Sequence, residues 1–314
     1  MVANVIIQDP RYNFVYVYTD TTMPADSVIK INSVNASSST VYTSGNGWNP
    51  SVGAPSQGVI GFSYNTTSFV YGANFQISNS TGVVNVSSYA GVVSGLVLLQ
   101  DAGFSPSYTG SGSTWTDVSG NSNNGTLVNS PTFSTSNGGY LSFNGTNQYV
   151  NISNSSSLQV GATFTVCAWI RPTTLAARYG IFSTRAVNST GSWQLEVGTG
   201  NAGTNRVSLT GIGTWIADSV NNVIATNQWW YVCVVKVNNA TTGATFYVNG
   251  SAVSNNATAA YTIANNTDVK RIASGTNTLE LFTGDIAEVL VYNRALNATE
   301  ILQNYNYTRS VFGR

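Results

Sequence analysis

Alternation of apolar and polar side chains dominates this 314-residue chain, and Gly, Asn and Ser interrupt it about every ten residues. Phe14-Val15-Tyr16-Val17-Tyr18, Ser27 to Ile31 and Gly58 to Phe62 are rich in the β-branched and aromatic residues that suit a pleated surface. Further along, Phe164, Val166, Ala168 and Ile170 share one face of a strand, and Ile286, Glu288 and Leu290 alternate with Ala287, Val289 and Val291. The pattern predicts an all-β chain. Two Asn-Gly pairs predict hairpins, since Asn-Gly accepts the positive φ of a two-residue turn. Asn144-Gly145 lies between Tyr140-Leu141-Ser142-Phe143 and Tyr149-Val150-Asn151-Ile152, and Asn249-Gly250 between Phe246-Tyr247-Val248 and Ala252-Val253.

One helix is predicted near the carboxyl end. Asn297-Ala298-Thr299-Glu300 has the spacing of a capping box, with Leu296 and Ile301 at the hydrophobic-staple positions. Ile301, Leu302, Tyr305 and Thr308 then form the face that docks on a sheet. A stretch of Ser, Asn, Gly and Val between residues 78 and 96 precedes Leu96-Val97-Leu98-Leu99 and divides the chain into a small amino-terminal β domain, 1–95, and a larger domain, 96–314.

Composition narrows the chemistry. Twelve Lys and Arg balance twelve Asp and Glu, and only 8% of the chain is charged, so nothing steers it toward nucleic acid or anionic lipid. The absence of His excludes Ser-His-Asp and Cys-His catalysis and imidazole zinc sites. No apolar run approaches membrane-spanning length, and Met1 to Pro10 lacks the basic start and apolar stretch of a secretory signal. Cys167 and Cys233 sit inside strand-like runs; they allow one bridge, but that setting favours two small buried hydrophobes.

Seven marks in order give the larger domain a family resemblance. They are Leu98-Leu99-Gln100-Asp101-Ala102-Gly103; Trp115-Thr116-Asp117 running to Asn124-Gly125; Leu141-x-Phe143-x-Gly145 with Tyr149-Val150; and Phe164 to Ile170 followed by Arg171-Pro172. After these come Gln228-Trp229-Trp230-Tyr231-Val232, Tyr247-Val248-Asn249-Gly250, and Gly284-Asp285-Ile286-Ala287-Glu288-Val289 through Asn293-Arg294 to Glu300-Ile301. The domain resembles the laminin-G-like branch of the concanavalin A-like lectin/glucanase superfamily. The resemblance implies a jelly-roll β-sandwich of two antiparallel sheets.

Three sets of residues invite a functional reading. Glu280, Asp285 and Glu288 stand where family glucanases place catalytic carboxylates. Asp285 and Glu288 are three apart, however, and point to opposite faces of a regular strand unless a bulge intervenes, so they read as structural. Asp117, Asn121 and Asn123, with Asp101 as a neighbour, offer the oxygens of a weak calcium site, although such residues also stabilise turns; calcium is the one cofactor admitted. For sugar binding the available aromatics are Trp193, Trp215, Trp229, Trp230, Tyr179 and Tyr261, and Trp215 is preferred because its Gly-rich surroundings are the least strand-like.

The resemblance implies a non-enzymatic virion protein, a phage capsid decoration or head-fibre protein displaying a lectin-like domain. Residues 1–95 are expected to attach it to the major capsid protein or other virion proteins, in a homo-oligomer made in the host cytoplasm and exposed on the virion surface. Host or environmental glycans are the expected ligands, with no nucleic acid or membrane partner. The alternatives are a tail receptor-binding lectin, a secreted polysaccharide-degrading enzyme, and a cell-surface adhesin.

Overall fold

In the computed structural model the chain divides into two compact units, Met1–Val93 and Ser94–Arg314. Of the first unit the structure describes only the backbone of its strands and residues 91–92. Of the second it describes all but residues 105, 186–188, 200–202, 240–242, 258 and 276–279, together with the side chains of 256, 257 and 310. The first unit has a three-stranded sheet (Ala3–Ile6, Phe14–Thr19, Gly58–Ser63) and a four-stranded sheet (Thr40–Tyr42, Val28–Asn32, Asn74–Asn79, Gly82–Ser87). The three strands anticipated there from alternation are present. The expected loop at Gly45 to Gln57 lies outside the described residues.

The second unit is a sandwich of two antiparallel sheets. The nine-stranded sheet runs Asn255–Ala257, Thr214–Ser219, Arg206–Gly211, Trp193–Gly198, Arg178–Ser183, Lys270–Ile272, Tyr149–Ile152, Gly125–Val128, Thr114–Trp115. The eight-stranded sheet runs Thr132–Ser134, Tyr140–Asn144, Thr283–Tyr292, Phe164–Pro172, Trp230–Lys236, Ala244–Val248, Ser251–Val253, with Leu96–Asp101 paired to the far half of Thr283–Tyr292. Alternate residues of each strand meet between the sheets in one continuous apolar core. Phe164 of one sheet stacks on Trp193 of the other, with centroids 4.0 Å apart and planes 10° from parallel.

Two strand readings need correction. Tyr140–Asn144 and Tyr149–Ile152 are not a hairpin, because they belong to different sheets and residues 144–148 turn the corner between them. The Asn144 Oδ1 accepts the backbone N–H groups of Thr146, Asn147 and Gln148, and Gly145, at φ +67°, lies so close to Thr283 that a Cβ there would clash. Asn-Gly chemistry makes a tight turn in either setting; the apolar faces of the flanking strands decide where the chain goes next. The second Asn-Gly pair is a hairpin, with Val248 opposite Ser251 and positive φ at Asn249 and Gly250.

The last strand also departs from simple alternation. Its pairing with Phe164–Pro172 passes from Ile170 opposite Ile286 to Trp169 opposite Glu288, leaving Ala287 as an extra residue. The bulge falls where the strand changes its other neighbour from Tyr140–Asn144 to Leu96–Asp101. Ile286, Val289 and Val291 therefore face the core, and Asp285 and Glu288 share the opposite face, against the expectation for a regular strand.

The helix Ala298–Thr308 starts at the expected capping box, with Asn297 and Glu300 bonded reciprocally. Leu296 and Ile301 are buried as a staple requires, but Leu302 is exposed, and Asn304 and Tyr307 join Ile301, Tyr305 and Thr308 on the buried side. Trp169 packs against Tyr305 and Phe312 and donates its indole N–H to Thr308 Oγ1 at 2.7 Å. The carboxyl end thus covers the outer face of the eight-stranded sheet.

On that same outer face Cys167 and Cys233 stand directly opposite each other on adjacent strands, with Cα atoms 4.1 Å apart, and they are joined. This corrects the reading of two unbridged hydrophobes, which rested on strand setting alone and could not see the register that aligns the pair. Sixty-six residues separate the cysteines in sequence. Replacing both by Ala is expected to cost roughly 2–4 kcal/mol, as for a loop of that order; a denaturation midpoint unchanged from the wild type would contradict it.

Candidate functional site

The two outer faces of the sandwich differ in chemistry. Under the helix the face is aromatic, whereas the outer face of the nine-stranded sheet is a layer of long polar side chains. Strand periodicity puts Gln194 and Glu196 there from Trp193–Gly198, and Arg206, Ser208 and Thr210 from the next strand, while Leu195, Val197, Val207 and Leu209 fill the core. Bulges bring in the rest. Ile181 is an extra residue opposite Trp193–Gly198, so Ile181 and Phe182 both enter the core and Arg178, Ser183 and Arg185 point outward. Ile216 is the extra residue opposite Arg206–Gly211, which sets Trp215 opposite Thr210 and Asp218 opposite Ser208 on the outer face.

Arg178 organises this layer. Its Nε and Nη2 donate to the Glu196 carboxylate at 2.9 and 2.8 Å, its Nη1 lies 2.9 Å from Glu280, and its guanidinium sits over the Trp215 ring, 4.7 Å from the centroid. Gln194 donates to both Glu196 and Glu280, the latter at 2.5 Å. Thr210 donates to Glu196 Oε2 and accepts from Arg185. Burial pushes the Glu196 carboxyl above the usual carboxylate range, against the pull of Arg178. Burial opposes the charge on Arg178 as well, but Glu196 and Glu280 outweigh it and raise its pKa. A second ion pair, Arg206 with Asp218 at 3.0 Å, lies beside the first group.

Four buried atoms of this face have no hydrogen-bond partner in the protein: Gln194 Oε1, Asp218 Oδ1, Arg185 Nε and Arg271 Nη1. Each such group costs about 1–3 kcal/mol if left unmatched. Half-buried Trp215, Tyr149, Asn151 and Glu280 surround the buried residues.

The carboxylates singled out in the sequence are split between the two faces. Glu280 belongs to the polar layer. Asp285 lies on the outer face of the other sheet, accepting from Ser142 at 2.5 Å and paired with Arg171 at 2.7 Å, and Glu288 is buried there opposite Trp169 and Asp101. Of the aromatics, Trp193 is core, Trp229 is buried against Tyr140 and Phe312, Trp230 carries Arg314 over its ring, and Tyr179 and Tyr261 pack on the edge of the core. Only Trp215 joins the polar layer.

The loop proposed for calcium has a different use for its oxygens. The Asp117 carboxylate accepts from the backbone N–H groups of Leu99, Ser119 and Asn123 and from the Ser119 hydroxyl, each at 2.9 Å, which takes all four lone-pair positions. Asn123 donates to Val97 O and Ser157 and accepts from Ser155; Asn121 donates to Leu96 O and Ser119; Asp101 holds the N–H of Gly103. These contacts pin the loop to the strand Leu96–Asp101. Among the described residues no cluster of three or more Cys, Asp and Glu could hold a metal ion.

An oxygen cage around a cation does exist elsewhere, and the cation is the protein's own. The ammonium of buried Lys270 donates to Asn154 Oδ1, to both Asn266 oxygens and to Asp268 O, at 2.8–3.2 Å. Burial pushes its pKa down to about 8, with Asp268 opposing. An unfolded lysine keeps its proton to about pH 10.4, so between these values the unfolded chain binds more protons and stability rises with pH. Urea midpoints at about pH 7.5 and pH 9.5 are expected to show this rise in the wild type and a smaller one in Lys270→Met.

The model of the family described as concanavalin A-like lectin/glucanases superfamily matches residues 144–302. No curated protein matches the chain. Among solved structures, the chain is similar to domain 4 of AbnA, a GH43 extracellular arabinanase from Geobacillus stearothermophilus, in complex with arabinotriose (16% identity, TM-score 0.52, 67% of this chain and 98% of that one). It is also similar to the binding domain of Paraclostridial Mosquitocidal Protein 1 (16%, TM-score 0.51, 68% and 52%) and to Trypanosoma rangeli sialidase in complex with sialic acid (13%, TM-score 0.51, 77% and 43%). The chain thus spans nearly all of that single arabinanase domain and about half or less of the other two chains, and what it shares with them is the fold.

Proposed function

The chain belongs to the concanavalin A-like lectin/glucanases superfamily, and from that premise we propose that its sandwich binds carbohydrate on the outer face of the nine-stranded sheet without cleaving it. The observation that carries this reading is the half-buried Trp215 ring with the Arg178 guanidinium over it and Glu280 and Gln194 hydrogen-bonded alongside, at the surface of a polar layer. Sugar hydroxyls donate and accept at once, so they match a face that carries guanidinium and amide donors together with carboxylate acceptors. Trp215 adds an aromatic face for the apolar side of a pyranose or furanose ring. The fold is shared with an arabinanase domain solved with arabinotriose, which supports the same choice of ligand.

Hydrolysis would need a carboxyl pair, and Glu196 with Glu280 is the pair this face offers. Both are tied to Arg178 and Gln194, which favours a structural lattice over a freely titrating acid and base. Titration calorimetry with a panel of plant and bacterial oligosaccharides is expected to show binding, roughly tenfold weaker in Trp215→Ala, a loss of about 1.4 kcal/mol. The same oligosaccharides should remain intact after long incubation; chain cleavage lost in Glu196→Gln would replace a binding protein with an enzyme.

The setting we propose is a virion surface, as a capsid decoration or head-fibre protein attached through residues 1–95 and displaying the sandwich outward. The low charge and abundance of Asn, Ser, Thr and Gly support a surface whose contacts change little with salt. Antibody-gold labelling of purified particles should decorate heads evenly. Label confined to tails would make the protein a receptor-binding lectin, and particles without label would remove the virion setting.

A further inference from the structure

A row of directly opposed residues crosses the outer face of the nine-stranded sheet at right angles to its strands. Trp215 stands opposite Thr210, Thr210 opposite Gln194, and Gln194 opposite Ser183; Ser183 stands opposite Arg271, and Arg271 opposite Asn151. Opposed residues of antiparallel strands share a face, so all six side chains leave the sheet on the side away from the core. Exposed Thr126, opposite Asn151, extends the row by one more strand.

The middle of this row is covered and its two ends are open. Ser183, Gln194 and Thr210 are buried. Arg178 and Arg185 both donate to the Thr210 hydroxyl, and Glu280 and the backbone of Gly275 lie against Gln194. At one end half-buried Trp215 carries the Arg178 guanidinium over its ring. At the other, half-buried Tyr149 lies two residues from Asn151 on the same strand, hence on the same face, and carries the Arg271 guanidinium 5.0 Å from its ring centroid. Five strand spacings separate Trp215 from Asn151, which sets the two aromatic rings about 25 Å apart. Between them the Arg178 and Glu280 side chains remain 32% and 18% exposed, so polar contact continues over the covered stretch.

Building on the sugar-binding reading above, we propose that Tyr149 is a second aromatic subsite and that this face takes an extended polysaccharide chain, laid across the strands from Trp215 to Tyr149, in preference to a single terminal sugar. A chain of about five or six sugar rings covers the span. Once one ring is held at Trp215, the rest of the same chain stays near Tyr149, and the second contact forms at a high effective concentration. A shorter oligosaccharide reaches one aromatic residue only. Asn151 and Thr126, an amide and a hydroxyl beside Tyr149, supply the donors and acceptors that sugar hydroxyls match.

The test is titration calorimetry on the full chain with arabino-, xylo- and cello-oligosaccharides of increasing length. Affinity is expected to rise at least about tenfold between roughly four and six units, where the chain first reaches both rings, and to level off beyond. At saturation two short oligosaccharides should bind per protein chain but only one long one, a readout that needs no variant. Tyr149→Ala should remove the rise and the second short-chain site while leaving disaccharide binding at Trp215 unchanged, and Tyr149→Phe, which keeps the ring, should retain both. A single short oligosaccharide bound per chain with no rise in affinity, or a rise that survives in Tyr149→Ala, would overturn the second subsite and leave the sugar-binding reading standing. Binding of no member of the three series by a folded, disulfide-intact chain would overturn both.

Discussion

One extra residue in a strand reverses the side of the sheet on which everything beyond it lies, and the chemistry of this sandwich follows from such reversals. Without the bulge at Ile216, Trp215 would point into the core and Asp218 alone would mark the outer face of its strand. Without the bulge at Ile181, the positions of Arg178 and Arg185 would fall on opposite faces, and one would have to be buried among Leu195, Val197 and Ile272. The bulge at Ala287 does the same for Asp285 and Glu288 on the other sheet. Each keeps an apolar residue in the core on both sides of the insertion, so the core tolerates the phase change that the polar face requires.

Division of labour between the faces follows. A sheet has two faces, and a sandwich uses one of each for its core, which leaves two outer faces to be satisfied. The eight-stranded sheet gives its outer face to Trp169, Tyr231 and Trp229, which the carboxyl-terminal helix and Phe312 cover. The nine-stranded sheet carries charge instead. Seven of the chain's twenty-four charged residues lie there, in a protein that otherwise makes its surface from amides and hydroxyls.

Much of the fold was legible because its signals are local. The capping box at Asn297 and Glu300, the Asn249-Gly250 turn and the apolar alternation of Phe164 to Ile170 act within a few residues, and all three stand in the structure. The corner at Asn144-Gly145 uses the same turn chemistry to join two sheets, a choice made by the core and invisible in the turn itself. The candidate site was legible only at Trp215, as an aromatic, and at Glu280, as a carboxylate, and nothing in the sequence joined the two. Their partners come from five strands and a loop between residues 178 and 280, and no run of charge announces them. The available signal was weak: Gln194, Glu196, Arg206, Ser208 and Thr210 as regular polar interruptions of apolar strands, which also describes any sheet facing water. At Asp117 the sequence left two readings open, a weak calcium ligand or a turn-former, because an aspartate that binds a cation and one that folds a loop sit in the same kind of sequence; the backbone N–H groups that engage its carboxylate come from residues as far away as Leu99.

The disulfide between Cys167 and Cys233 lies on the face that the carboxyl-terminal helix covers, and neither cysteine is exposed at all. A small-molecule reductant or a thiol enzyme reaches such a bond only when the surrounding structure opens, so its rate of cleavage is set by the opening of the sandwich and not by the redox poise outside. By the same steric argument the bond must close before or while the helix docks. Once made, it preserves a record of the conditions under which the chain folded, and it would outlast a later change of surroundings.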